Sequence, residues 1–269
     1  MADLQAATLY LVCTPIGNLA DISQRALEVL AGADAVACED TRHSRRLFDH
    51  HGLPRPQALL AYHEHNEQAA TRGILERLAA GQTVALVTDA GAPAINDPGF
   101  RAVEAAVAEG FAVQVIPGPS AVIAALLSSG LPTAAFTFKG FAPRKSGQRR
   151  RLLETEGQRP ETLILFESPH RLASFLADAA AVLGERPAAV CIELTKLHER
   201  VIRGSLAELA ETFAGTKTKG EVTLVIAGLA RKEAQAKKRR TNKYLKESLE
   251  PMGEPMEAQD TELSGKTDA

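Results

Sequence analysis

The chain has 269 residues, of which 45% are hydrophobic and 24% charged, the balance of a soluble globular protein with one large or two ordinary domains. Glycine and proline are at ordinary levels, which excludes collagen-like and low-complexity classes. Three scattered cysteines (Cys13, Cys38, Cys191) exclude a disulfide scaffold or a zinc ribbon and point to a reducing, cytosolic setting. The net charge of −2 excludes a uniformly basic nucleic-acid binder, but the charge is segregated. Residues 139–151 carry +6 with no acid, 231–246 carry +7, and 247–269 carry −6. The first two patches suit a polyanion.

The elements follow in chain order. The start lacks the basic and apolar regions of a signal peptide. An apolar strand at 9–13 runs into T-P-I-G-N, and a helix is expected over 21–31 with Asp21 as its cap. A strand at 34–38 ends in Glu39-Asp40. A helix over 66–80, a strand at 83–88, a helix over 100–109 and a strand at 113–116 follow. No charge occurs in 110–138, but Pro117, Gly118, Pro119, Gly130 and Pro132 break it into a strand, a turn and a buried helix rather than a membrane span. The strands are continuous apolar runs, as expected where helices cover both faces of a parallel sheet, so the class is α/β.

Residues 131–147 read as a boundary. Beyond it are expected strands at 162–166, 188–194, 201–203 and 222–227, and helices over 169–183 and 206–213. The expected organisation is an α/β domain over 1–131, a second over 132–230, and a polar, flexible tail over 231–269.

The chemistry gathers at four strand ends: T-P-I-G-N (14–18), E-D-T-R-H-S (39–44), D-A-G-A-P-A-I-N-D-P-G (89–99) and P-G-P-S-A (117–121). Ligands of open α/β sheets bind outside the carboxyl ends of the strands, and small residues there let a ligand approach the backbone. Each motif alone is equally a tight turn. Together they make a ligand site. Neither G-x-G-x-x-G nor G-x-x-x-x-G-K-[ST] is present, which leaves a Rossmann dinucleotide site or a P-loop unsupported.

These strings, with F-E-S-P-H-R (166–171), E-L-T-K-L-H-E (193–199) and K-G-E-V-T-L-V-I-A-G (219–228), resemble the small-subunit ribosomal RNA methyltransferases of the tetrapyrrole methylase superfamily over about residues 8–228. Cys13 departs from that pattern, in which a small residue or proline is common. The resemblance implies two α/β domains with S-adenosylmethionine (SAM) in the cleft between them, a homodimer, and 2′-O-methylation of a cytidine in 16S rRNA of the small ribosomal subunit. It implies cofactor contacts from Pro15, Asp89, Ala90, Gly91, Ala92, Ile95, Ser120, Ala121, Phe166, Leu194 and Thr223.

Deprotonating a ribose hydroxyl calls for a base, or for a cation that steadies the alkoxide. Asp40, Arg42 and Lys196 are the catalytic candidates, with Asp97 and Glu199 behind them. A lysine whose pKa is lowered by burial could take the proton. Asp40 and Arg42 could equally bind each other across a loop. His43 could touch RNA or orient a loop. Arg144, Lys145, Arg149 and Arg150 are the expected phosphate contacts, and no metal ligand set is expected. The rivals are a tetrapyrrole methyltransferase and a non-catalytic ribosome-assembly factor on the same fold.

Overall fold

The computed structural model describes residues 4–229, which form one compact unit. The tail expected over 231–269, with its basic and acidic halves, lies outside the described residues. The first half alternates strands and helices: β1 (Thr8–Val12), α1 (Gln24–Gly32), β2 (Ala35–Cys38), α2 (Thr41–His50), β3 (Ala58–Ala61), α3 (Glu67–Ala79), β4 (Val84–Val87), α4 (Phe100–Ala108), β5 (Ala112–Ile116) and α5 (Ala121–Ser129). Its five strands are all parallel, in the order β3-β2-β4-β1-β5.

Side-chain alternation explains the continuous apolar runs. Tyr10, Val12, Val36, Cys38, Ala85 and Val87 pack on one face against Ala26, Val29 and Leu30 of α1 and Leu47 and Phe48 of α2. Leu9, Leu11, Ala35, Ala37, Val84 and Leu86 pack on the other against Ile74 and Leu78 of α3 and Ala102 and Ala106 of α4. Both faces of the central strands are covered, so neither parity of β2 or β4 is polar.

The second half comprises β6 (Phe136–Phe141), α6 (Ser146–Glu156), β7 (Thr162–Glu167), α7 (Leu172–Leu183), β8 (Pro187–Ile192), β9 (Arg200–Ser205), α8 (Leu206–Phe213) and β10 (Val222–Ile226). Its sheet runs β6-β7-β10-β8-β9; β6 and β7 are parallel and the remaining pairs antiparallel. Leu163, Leu165, Val190, Ile192, Leu224 and Ile226 face α6, α7 and α8. The opposite face, through Ile164, Ala189, Cys191 and Val225, receives Val122, Ala125 and Leu126 of α5 together with Ile16. Helix α5 thus leaves the first sheet and packs on the second, which brings the loops of the two halves edge to edge.

Several expectations change. Ser23, not Asp21, caps α1: its hydroxyl accepts from the Ala26 amide at 3.1 Å, while Asp21 belongs to a 3-10 turn, Leu19–Asp21, capped by Asn18. Helix α7 starts at Leu172 rather than at Pro169. Glu167 holds the preceding turn in place, accepting from the Ser168 amide at 2.6 Å and pairing with Arg171 at 2.5 Å. The segment expected as a boundary contains β6, and α2 and β3 had no counterpart in the sequence reading.

Candidate functional site

The carboxyl ends of β2, β4, β1 and β5 are neighbours in the sheet, so the four motif-bearing loops meet at one edge. They are pinned to one another. Thr14 and Gly91 exchange backbone hydrogen bonds at 2.9 and 3.1 Å, and the Thr14 hydroxyl donates to the Thr88 carbonyl at 3.1 Å. Gly91 needs its freedom, with φ at +86°. Ala94 and Asn96 also sit in the left-handed region, at φ 67° and 64°. Asparagine enters that region readily, whereas alanine does so only where its surroundings enforce it, and such enforced conformations cluster at ligand sites.

Two cavities open here and share Ile16, Thr88, Asp89, Ala90 and Glu221. The larger is about 490 Å³. Asp89, Ala90, Gly91, Ala92 and Ile95 line it from the loop after β4, Ser120 and Ala121 from the start of α5. Phe166 and Thr223 close it from the second sheet, with Phe141 stacked edge-on to Phe166 at 5.6 Å between ring centroids. Its acidic wall consists of Glu39, Asp89, Asp97, Glu167 and Glu221, and no lysine or arginine among the described residues lines it. The smaller cavity, about 310 Å³, is different: Pro15, His43, Arg46 and Lys196 line it.

The carboxylates interact. The Thr88 hydroxyl lies 2.9 Å from both Glu39 Oε2 and Asp97 Oδ2. One hydroxyl hydrogen cannot satisfy both, so the second contact calls for a proton on a carboxyl group. Burial, and the charges of Glu39 and Asp89, push Asp97 up to about 6 despite the Thr88 hydrogen bond. Asp89 is held at both oxygens: Oδ1 accepts from the Asp40 amide at 3.1 Å, and Oδ2 lies 2.8 Å from His43 Nδ1. Asp40, His43 and Asp89 bring potential ligand atoms within 4.8 Å of one another; Asp89 holds the Asp40 amide and His43 Nδ1, while the Asp40 carboxylate is taken by Arg42.

Lys196 is fixed by Glu193 at 2.8 Å and Glu221 at 3.2 Å. Burial works against its charge, but the two carboxylates outweigh it and raise its pKa. The expected neutral, proton-accepting lysine is therefore replaced by a held ammonium. Gly17 permits this arrangement, since a Cβ there would lie 2.4 Å from Lys196 Cγ.

Other expected residues lie elsewhere. Asp40 caps α2 through the Arg42 amide at 2.8 Å and takes the Arg42 guanidinium at 2.6 Å, which holds its carboxyl well below the usual range. Neither lines a cavity, so Asp40 is spent on structure and is no free base. Leu194 is buried in the core with Ile16 and Val122, behind the cavities rather than in them. Arg149 is buried at 4% exposure, its guanidinium on Asp178, with Nε at 2.8 Å. Arg150 reaches the same carboxylate at 2.7 Å and stays half-exposed. Arg149 is thus a core ion-pair residue rather than a phosphate contact. Arg144 and Lys145 are exposed at the start of α6.

Glu39, Glu167, Glu221 and Phe141 line the larger cavity without having been singled out from sequence. Glu39 directly follows β2 and Glu167 ends β7, and that position is their available signal.

The tetrapyrrole (corrin/porphyrin) methylase family model matches residues 8–210, and the chain belongs to that family. Among its relatives, ribosomal RNA small subunit methyltransferase I of Mesorhizobium japonicum is 53% identical over 81% of this chain and 74% of its own. The enzyme of that name from Halalkalibacterium halodurans is 46% identical over 82% and 76%. In solved structures the fold is shared with a cobalt precorrin-4 methyltransferase (TM-score 0.58, 20% identity, covering 82% of this chain and 95% of that one). It is shared too with a uroporphyrin-III C-methyl transferase from Thermus thermophilus complexed with S-adenyl homocysteine (TM-score 0.55, 20% identity, 82% and 97%).

Proposed function

We propose that this chain is a SAM-dependent methyltransferase that acts on the ribose 2′-hydroxyl of a cytidine in 16S rRNA, in the cytoplasm, as a homodimer. The observation that carries the reading is the charge contrast between the two joined cavities. Among the described residues the larger is lined by five carboxylates and no lysine or arginine, which suits a cationic ligand of SAM's size; the smaller shares Asp89 and Glu221 but adds His43, Arg46 and Lys196, which suit a sugar and its phosphates. The likeness to relatives named for small-subunit rRNA supplies the substrate class.

SAM, when bound, supplies a methyl group already activated on a sulfonium. The chain's own work is binding and alignment. The backbone of 89–95 and the start of α5 would hold the amino-acid end. Ser120 caps α5 without using its side chain, so the helix N-terminus is open to a carboxylate. Phe166 and Thr223 would face the adenosine. The Lys196 ammonium would steady negative charge growing on the ribose oxygen, an effect of about 3–4 kcal/mol for one well-placed donor.

Arg144 and Lys145 would meet the RNA backbone. The dimer reading is supported by exposed apolar side chains on the edge strand β5 and on α5, Val115, Ile123 and Leu127, at 57%, 44% and 70% exposure.

Transfer of labelled methyl from SAM is measured with small ribosomal subunits and, separately, with a reduced tetrapyrrole. Label in the RNA alone is expected. Label in the tetrapyrrole alone would replace this reading with the tetrapyrrole one, and calorimetric SAM binding without either transfer would leave the assembly factor.

A further inference from the structure

We infer that His43, oriented by Asp89, is the general base that takes the proton from the ribose hydroxyl. This rests on the 2′-O-methyltransferase reading and assigns its missing base.

Three observations meet at this residue. His43 lines the smaller cavity, and Asp89 lines both cavities at their shared wall. The His43 Nδ1 to Asp89 Oδ2 distance is 2.8 Å. With Asp89 an acceptor, Nδ1 carries the hydrogen and Nε2 carries the lone pair, as in any imidazole base oriented by a carboxylate. The orienting group is itself immobilised, because Asp89 Oδ1 accepts from the Asp40 amide at 3.1 Å.

The other candidates fail on geometry. Asp40 is occupied by the cap and by Arg42, Lys196 is held between Glu193 and Glu221, Asp97 lines only the larger cavity, and Glu199 accepts from the Thr195 amide at 2.7 Å and lines neither. His43 is half-exposed, so a proton it accepts can leave to solvent.

In the step itself the ribose oxygen bonds to the methyl carbon as the carbon–sulfur bond breaks, its electron pair staying on sulfur. The hydroxyl proton passes to His43 Nε2, and the imidazolium rests against the Asp89 carboxylate. The charged groups around the ring are Asp40, Arg42 and Arg46 on its own helix and loop, Asp89 from the loop after β4, and Lys196 and Glu221 across the cavity.

The test is single-turnover methyl transfer to small subunits from pH 5.5 to 8.5, with SAM affinity measured separately by calorimetry. The wild-type rate at saturating SAM is expected to rise with pH over this range and to level off. His43→Asn and His43→Gln are expected to slow transfer about 100-fold or more, to flatten that rise with pH, and to keep SAM affinity within about threefold. Added imidazole is expected to restore part of the rate. Variants within about threefold of wild type would overturn the assignment, as would an unchanged pH dependence at saturating SAM, where the ionisation of Asp97 no longer acts through SAM binding. So would loss of SAM affinity with an unchanged pH profile, the signature of a residue that only holds the Asp89 loop. Absence of transfer by the wild-type protein overturns the function reading and this one with it.

Discussion

Asp97→Asn is expected to stabilise the protein while weakening its hold on SAM. Asp97 titrates near 6 in the folded chain against 3.8 for an ordinary aspartate, because burial and the neighbouring Glu39 and Asp89 oppose its charge. The folded state therefore binds the proton more tightly than the unfolded one. Its destabilising effect is absent well below pH 4, grows as pH rises, and is complete above about 6.5. A difference of about two pH units would correspond to roughly 3 kcal/mol in a fully buried group, and the partial exposure of Asp97 discounts it to about 2 kcal/mol. Asparagine removes the charge yet keeps an acceptor for Thr88 in its carbonyl oxygen. At pH 7.5 a gain of about 2 kcal/mol is expected, read by scanning fluorimetry as a melting temperature about 4–8 °C higher. At pH 4.5 the gain should shrink to about a third, since most of the linkage lies above that pH. Calorimetry should show SAM binding about 5–20-fold weaker at pH 7.5, because the acidic wall has lost a charge. A variant that melts lower than wild type, or a gain equal at both pH values, would refute the reasoning.

Arg149→Ala leaves Asp178 buried without its main partner and should cost about 3–5 kcal/mol in urea unfolding, with any change in RNA binding following the loss of folded protein. Arg144→Ala with Lys145→Ala should leave stability unchanged and reduce the salt slope of subunit binding by about one to two. Lys196→Gln should slow transfer at least about 100-fold, and Lys196→Arg should recover part of it, because the position supplies a positive charge and not a proton acceptor. Gly17→Ala forces Lys196 off its place and should lower the transfer rate about 10-fold or more at near-normal SAM affinity.

Much of this was legible in the chain because burial on both faces writes itself as unbroken apolar strands: 83–88 and 222–227 could hardly be anything else, and β4 and β10 lie there. The motif-bearing loops converge because parallel strands deliver their carboxyl ends to one edge. Local pattern fails where a partner is distant. Helix α2 reads as polar because Ser44, Leu47 and Phe48 alone are buried in it. Arg149 sits in a basic run like its neighbours, and only Asp178, 29 residues on, makes it a core residue. Lys196 could not be read as protonated without Glu193 and Glu221 beside it. The competition of Glu39 and Asp97 for one hydroxyl exists only after folding brings β2 and β4 together.

The account stands most directly on the product of the reaction. Purified protein and SAM are incubated with small subunits lacking the modification and with naked 16S rRNA, and the digested nucleosides are identified by mass spectrometry. New 2′-O-methylcytidine in at least one substrate is the predicted result, and the pair shows whether assembly is needed. Methyl groups found only on a base, or in neither substrate with protein that binds SAM, would contradict it.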